Sequence, residues 1–335
     1  MTHHLTETAA ALVAPGKGIL AADESIGTMS ARLVKVGVEP TEENRRDYRE
    51  LLVTTPGLAN GISGVILCEE TLRQSLSNGR AFPDMLTDLG IAPGIKVDTG
   101  AKPLPGASGE TITEGLDGLF PRLREFVTLG ARFAKWRAVI TIGDGIPSDR
   151  AIRANAHALA RYASACQAAG LVPIVEPEVL MDGAHSQARC AEVTTRMQAA
   201  VAAELAAFDV DFGGIVLKPN MVVPGKLSGE NASPEWVAEA TVAVLTTTMP
   251  LTLAGVAFLS GGQSPEQATA NLAALQELPT PWPLTFSFGR ALVDPALRAW
   301  HGVAGRVSDG QAALAGRVAA NSAVLRAGAE PSVVP

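Results

Sequence analysis

The chain has 335 residues, of which 47% are hydrophobic and 18% charged, and a formal net charge of −7. This length suits an α/β barrel, which commonly passes about 250 residues as one domain, and the composition excludes a disordered body. The acidic balance argues against nonspecific nucleic-acid binding but leaves room for a local basic cluster that takes an anionic small molecule.

Residues 1–12 precede the first element and carry no basic segment followed by an apolar core, so no signal peptide is expected. Short apolar runs then follow at 18–22, 64–67, 94–97, 131–140, 171–175, 213–217, 255–259 and 284–288, most of them starting at or near a glycine or proline. Such runs mark parallel strands buried on both faces. Between them lie helical patterns such as 151–169, 186–207, 234–245 and 265–275. Eight strand–helix repeats predict a (β/α)8 barrel over residues 1–335, with a C-terminal tail from about 326. The rival, a doubly wound open sheet, more often carries a glycine fingerprint after its first strand, and LAADES at 20–25 has none. No run reaches the roughly 18 residues of a membrane span. Cys68, Cys166 and Cys190 are odd in number and widely spaced, which suggests reduced thiols in a cytoplasmic protein.

Nearly every apolar run ends in a polar or glycine-rich cluster. In a barrel the C-terminal strand ends share one mouth, where active sites are built. Strand alternation puts Asp23, the pair Lys96 and Asp98, the pair Lys135 and Arg137, the pair Glu176 and Glu178, and Lys218 on shared faces. Lys218 closes the run IVLK at 215–218 and is followed by a proline. Taken alone it reads as a lysine snorkelling to water. Beside Lys135 in a partly dry pocket it would lose affinity for its proton and supply an amine able to attack a carbonyl. Glu176 and Glu178 read either as solvated rim carboxylates or as the proton shuttles that iminium chemistry needs, and Pro177 between them suggests a strand that is ending. Asp23 can pair with a lysine and orient it. After the seventh and eighth runs, Ser260, Gly261 and Gly262, then Ser287, Gly289 and Arg290, occupy the loops where barrels commonly hold phosphate. The five histidines lack metal-ligand spacing, so no metal is expected. The charged stretch TEENRR at 41–46 reads as a capped helix start facing solvent or another subunit.

Taken together, APGKGILAADES at 14–25, TEENRR at 41–46, GIKVD at 94–98, FAKWR at 133–137, VPIVEPE at 172–178, LKPNM at 217–221, FLSGGQS at 258–264 and FSFGRAL at 286–292 resemble the class I fructose-bisphosphate aldolases in colinear order. The resemblance implies a metal-independent, cofactor-free lyase that works through a lysine Schiff base in glycolysis and gluconeogenesis. It implies Lys218 as that lysine, Glu176 as the principal proton-transfer residue, and Glu178, Asp23 and Lys135 as assistants. Ser260, Gly261, Gly262, Ser287, Gly289 and Arg290 would hold the phosphate at C1 of the ketose. Ser25, Thr28, Arg32 and Lys96 would face the far phosphate, with Arg137 nearby. Thr28 keeps the hydroxyl of the serine common there. The family also suggests a homotetramer. One departure is the end, AGAEPSVVP at 327–335, which lacks the terminal tyrosine of well-known members. Enamine protonation would then rest on water or Glu176 and run slower. Alternatives are a Schiff-base aldolase for sedoheptulose 1,7-bisphosphate or fructose 1-phosphate, and a non-catalytic scaffold.

Overall fold

The computed structural model describes residues 2–328. Ten strands run in chain order as β1 (Gly18–Ala22), β2 (Ile62–Leu67), β3 (Ala92–Lys96), β4 (Gly100–Pro103), β5 (Thr111–Glu114), β6 (Phe133–Ile140), β7 (Val172–Val179), β8 (Val216–Leu217), β9 (Gly255–Phe258) and β10 (Leu284–Phe286). Eight of them pair in parallel in the order β1-β2-β3-β6-β7-β8-β9-β10. The Ala21 amide donates to the Phe288 carbonyl at 3.0 Å and draws the two ends together. The result is a nearly closed (β/α)8 TIM barrel. The predicted helices follow their strands on the outside as Asp149–Ala169, Gln187–Ala207, Pro234–Thr248 and Pro265–Gln276.

Alternation sorts the core into two bodies. Leu20, Ala22, Val65, Leu67, Ile95 and Trp136 face outward and pack under the helices. Ile19, Ala21, Ile66, Phe133, Val172, Ile174 and Val216 face inward and fill the barrel. Gly18 and Gly94 have no Cβ because the rings of Phe286 and Phe133 lie where one would stand. The inner column is closed from below by the helix Thr2–Leu12, whose Leu5, Ala9 and Leu12, with Val13, join it. The inward parity continues upward along each strand, so it aims Asp23, Lys135, Glu176 and Lys218 into the mouth.

Several local expectations are corrected. The sixth run, expected as strand over 213–217, is paired only at Val216–Leu217, because Phe212–Gly214 forms a 3-10 turn capped by Asp211, whose side chain accepts from the Gly213 amide at 2.9 Å. The fifth run, β7, does not end at Pro177 but runs on to Val179, fully in register with β6. Pro173 and Pro177 share parity with Val175, whose carbonyl meets the Lys218 amide at 2.8 Å. Their missing N–H groups therefore face the β8 edge on either side of its two-residue ladder. The stretch 41–46 is only partly solvated: Glu42 and Glu43 are exposed, but Arg45 is buried against Glu70, at 2.5 Å. The antiparallel hairpin of β4 and β5 was not anticipated; it follows the third barrel strand and sits on the rim of the mouth.

Candidate active site

The mouth is a cavity of about 820 Å³ lined from all the barrel strands except β2. The acidic pair after β2 is engaged elsewhere, Glu69 with Arg73 and Glu70 with Arg45. At the floor sit four buried charged groups. Lys218 Nζ lies 3.3 Å from Glu176 Oε1, and Lys135 Nζ lies 3.2 Å from Glu176 Oε2 and 2.6 Å from Asp23 Oδ2. Two cations thus alternate with two anions, and Glu176 bridges the lysines with one oxygen each. Lys218 is only 3% exposed.

The charges shift each other's proton affinity in definite directions. Burial pushes the Lys218 ammonium down; Glu176 pulls it back up, and Lys135 adds to the depression. Desolvation, more than the neighbouring cation, is therefore the main reason that its amine becomes available. Lys135 goes the other way: burial lowers it, but Asp23 and Glu176 outweigh burial and keep it protonated. Burial raises Glu176, but Lys135, Lys218 and Arg137 overcome it and hold the carboxyl below its ordinary range. Asp23 is treated likewise: burial raises it, Lys135 and Lys218 lower it, and the balance falls at about 2.

Lys218 is fixed by its neighbours in sequence. Beyond its ladder bond, Asn220 is buried, accepts from the Val179 amide at 2.9 Å and donates to Thr194 Oγ1 at 3.3 Å and the Met221 carbonyl at 3.1 Å. This side chain continues the β7–β8 pairing where backbone pairing has stopped. The opposite wall is held by Asp98, whose carboxylate takes Lys96 Nζ at 2.5 Å and the Arg137 amide at 3.2 Å. Arg137 in turn meets Glu178 at 2.5 Å.

Two groups of hydroxyls, helix-start amides and guanidinium side chains flank the floor. On one side Ser25 caps the helix Ile26–Lys35, accepting from the Thr28 amide, and its hydroxyl donates to Thr28 Oγ1 at 3.0 Å. A helix N-terminus with two hydroxyls favours an anion. Arg32 from the same helix pairs with Glu24 and with Asp294, the latter at 2.5 Å. On the other side Ser260 and Gly261 meet Ser287, Gly289 and Arg290 at the start of the helix Arg290–Trp300. Gly261 and Gly262 adopt φ of 52° and 84°, the left-handed region where glycine is needed. Ser287 is fully buried, and its hydroxyl has no partner among the described residues. Every expected site residue lines the cavity except Gly262, which stands behind Gly261 with Lys226 Nζ beside it.

The roles of three groups escaped the sequence reading. Asp98 shares parity with Lys96 and was placed on the same face, but it was given no part in the site. Asn220 looked like an ordinary residue after a strand. Asp294 stands one helical turn beyond Arg290, so that spacing was the available clue. Among the described residues no group of three or more His, Cys, Asp or Glu is arranged to hold a metal ion.

A TIM barrel with a lysine–carboxylate cluster between two groups of hydroxyls and guanidinium side chains suits an enzyme acting on an anionic carbonyl compound. The family model "Fructose-bisphosphate aldolase class-I" matches residues 4–330. A probable class 1 fructose-bisphosphate aldolase of Xanthomonas campestris is 57% identical over 88% of this chain and 89% of its own. The cytosolic fructose-bisphosphate aldolase 4 of Arabidopsis thaliana is 52% identical over 96% of this chain and 82% of its own. The fructose-bisphosphate aldolase of Plasmodium falciparum, solved with TRAP and a small-molecule inhibitor, superposes with a TM-score of 0.95 at 45% identity, covering 98% of this chain and 96% of that one. The chain belongs to the class I fructose-bisphosphate aldolase family. It is an aldehyde-lyase of glycolysis that cleaves fructose 1,6-bisphosphate reversibly to dihydroxyacetone phosphate and glyceraldehyde 3-phosphate.

Proposed function

We propose that Lys218 is the Schiff-base nucleophile of this reaction and Glu176 its main proton carrier. The observation that carries this is Glu176 held between the two buried lysines, 3.3 Å from Lys218 and 3.2 Å from Lys135. The unprotonated amine of Lys218, favoured by burial, attacks C2 of the ketose. The carbinolamine loses its hydroxyl as water with a proton delivered through Glu176, leaving an iminium. A carboxylate takes the C4 hydroxyl proton, the C3–C4 electron pair flows to the iminium nitrogen, and glyceraldehyde 3-phosphate departs. The enamine regains a proton at C3 from Glu176 or water, and hydrolysis frees dihydroxyacetone phosphate and Lys218. Lys135 remains a cation throughout, keeps Asp23 ionised and orients Glu176 while that carboxylate takes up and releases protons.

Ser260, Gly261, Ser287, Gly289 and Arg290, with Gly262 as a backbone hinge, take the C1 phosphate in this reading. Ser25, Thr28, Arg32 and Lys96 face the far phosphate, and Glu178 holds Arg137 beside it. The buried, unpartnered Ser287 hydroxyl supports the first cradle, and the capped helix start at Ser25 supports the second. Residues 329–335, where a terminal tyrosine was sought, lie outside the described residues. A Glu176→Gln variant tests the proton path: it should slow exchange of solvent deuterium into dihydroxyacetone phosphate by about 100-fold. Undiminished exchange would remove Glu176 from that role.

The same family points to a cytoplasmic homotetramer. Three buried, unpaired cysteines support the reducing compartment. Trp236, Leu227 and Leu251 leave large apolar surface open for subunit contact. Sedimentation at micromolar concentration should give four times the chain mass, and a monomer would reject the assembly.

A further inference from the structure

We infer that Asp294 is a specificity-determining residue, a built-in competitor for the far phosphate that sets how strongly the enzyme prefers a bisphosphate over a ketose 1-phosphate. This rests on Arg32 belonging to the far-phosphate cradle. A guanidinium grips a phosphate best through two parallel N–H donors. Here both terminal nitrogens of Arg32 already face carboxylates, Nη1 toward Glu24 and Nη2 toward Asp294 at 2.5 Å. The two carboxylates are not equally committed. Glu24 is 14% exposed and also holds Arg49 Nη2 at 2.9 Å, so it is locked into the base of the mouth. Asp294 is 34% exposed, lines the cavity, and has Arg32 as its sole side-chain partner among the described residues.

A phosphate arriving at Arg32 therefore displaces Asp294 and not Glu24, and must do so against like charge. The chain brings this about with a single turn of helix. Arg290 and Asp294 lie four residues apart on Arg290–Trp300, so one face presents a cation to one cradle and an anion to the other. A ketose lacking the far phosphate meets no such competition, and the Arg32–Asp294 pair stays closed beside it. The carboxylate thereby narrows the gap between the two substrate classes that Arg32 alone would open.

The test compares kcat/KM for fructose 1,6-bisphosphate and fructose 1-phosphate in wild type, Asp294→Asn and Arg32→Met, with thermal unfolding to check folding. Asp294→Asn should raise the bisphosphate-to-monophosphate ratio by about three- to tenfold, mostly through a lower KM for the bisphosphate. A residue that merely braces Arg32 would give the opposite, a fall in the ratio, and either a fall or no change overturns the inference. Arg32→Met separates the two layers. If it lowers the ratio while Asp294→Asn does nothing, the cradle stands and the competitor is rejected. If it leaves the ratio unchanged, the far-phosphate role of Arg32 fails and the competitor with it.

Discussion

Lys135 shows how one side chain sets the state of three others. It is the cation shared by Asp23 and Glu176, and its charge also depresses Lys218. Replacing it with methionine keeps an unbranched side chain one atom shorter and removes the charge. Asp23 and Glu176 then lose the strongest pull toward ionisation, so the acid limb of the kcat/KM profile moves to higher pH while kcat falls by about 100-fold or more. An unmoved acid limb would mean that the lysine only fills space. Asp23 carries a stability term of known sign. Its folded value of about 2 lies below the ordinary 3.8, so its ionised form stabilises the fold above the unfolded value and that contribution fades as pH drops toward 2. Asp23→Asn should therefore cost on the order of 2 kcal/mol near neutral pH. The difference from wild type should narrow below about pH 4, as measured by denaturant unfolding across pH. A difference constant with pH would assign the cost to something other than this ion pair.

At the scale of elements, the eight barrel strands were readable because each is a short apolar run covered on both faces, and parity then aimed the charged ends inward. The seven-residue link across the β4–β5 hairpin and its short, half-exposed strands carry no such signal, and Gly100-Ala-Lys-Pro103 reads as loop. Pro177 misled for a structural reason: its missing donor faces an edge that β8 never reaches. The brevity of β8 also explains why Asn220 matters, since a side chain replaces ladder bonds next to Lys218. Asn220→Ala should lower stability by about 1–3 kcal/mol through an orphaned Val179 amide. It should also lower kcat more than it raises KM, because the lysine loses its alignment while the proposed phosphate-binding residues stay in place. Equal loss in both, or none, would detach Asn220 from the positioning of Lys218. Asp294 and Arg32 were harder to read as partners, because they sit on helices 262 residues apart in the chain and only the closed barrel joins them.

Across the whole molecule the barrel separates stability from chemistry. Its lower end is packed by the N-terminal helix, where Leu12 is 1% exposed, and its upper end is a polar mouth. Leu12→Ala should cost about 2–5 kcal/mol of stability yet leave kcat/KM per folded molecule intact, since inward-facing layers lie between the plug and Lys218. A matched loss of activity in the folded fraction would show that the two ends are coupled. The fold and family were legible early because eight motifs recur in fixed order. What needed coordinates was which charge neutralises which, and that decides where the free amine lies. Borohydride reduction of the enzyme with dihydroxyacetone phosphate, followed by peptide mass analysis, reads that amine directly. A single reduced adduct on Lys218, absent in Lys218→Met and formed equally in EDTA, is the expected result. An adduct on Lys135 instead, or none while turnover continues, would contradict the assignment of Lys218 as the nucleophile.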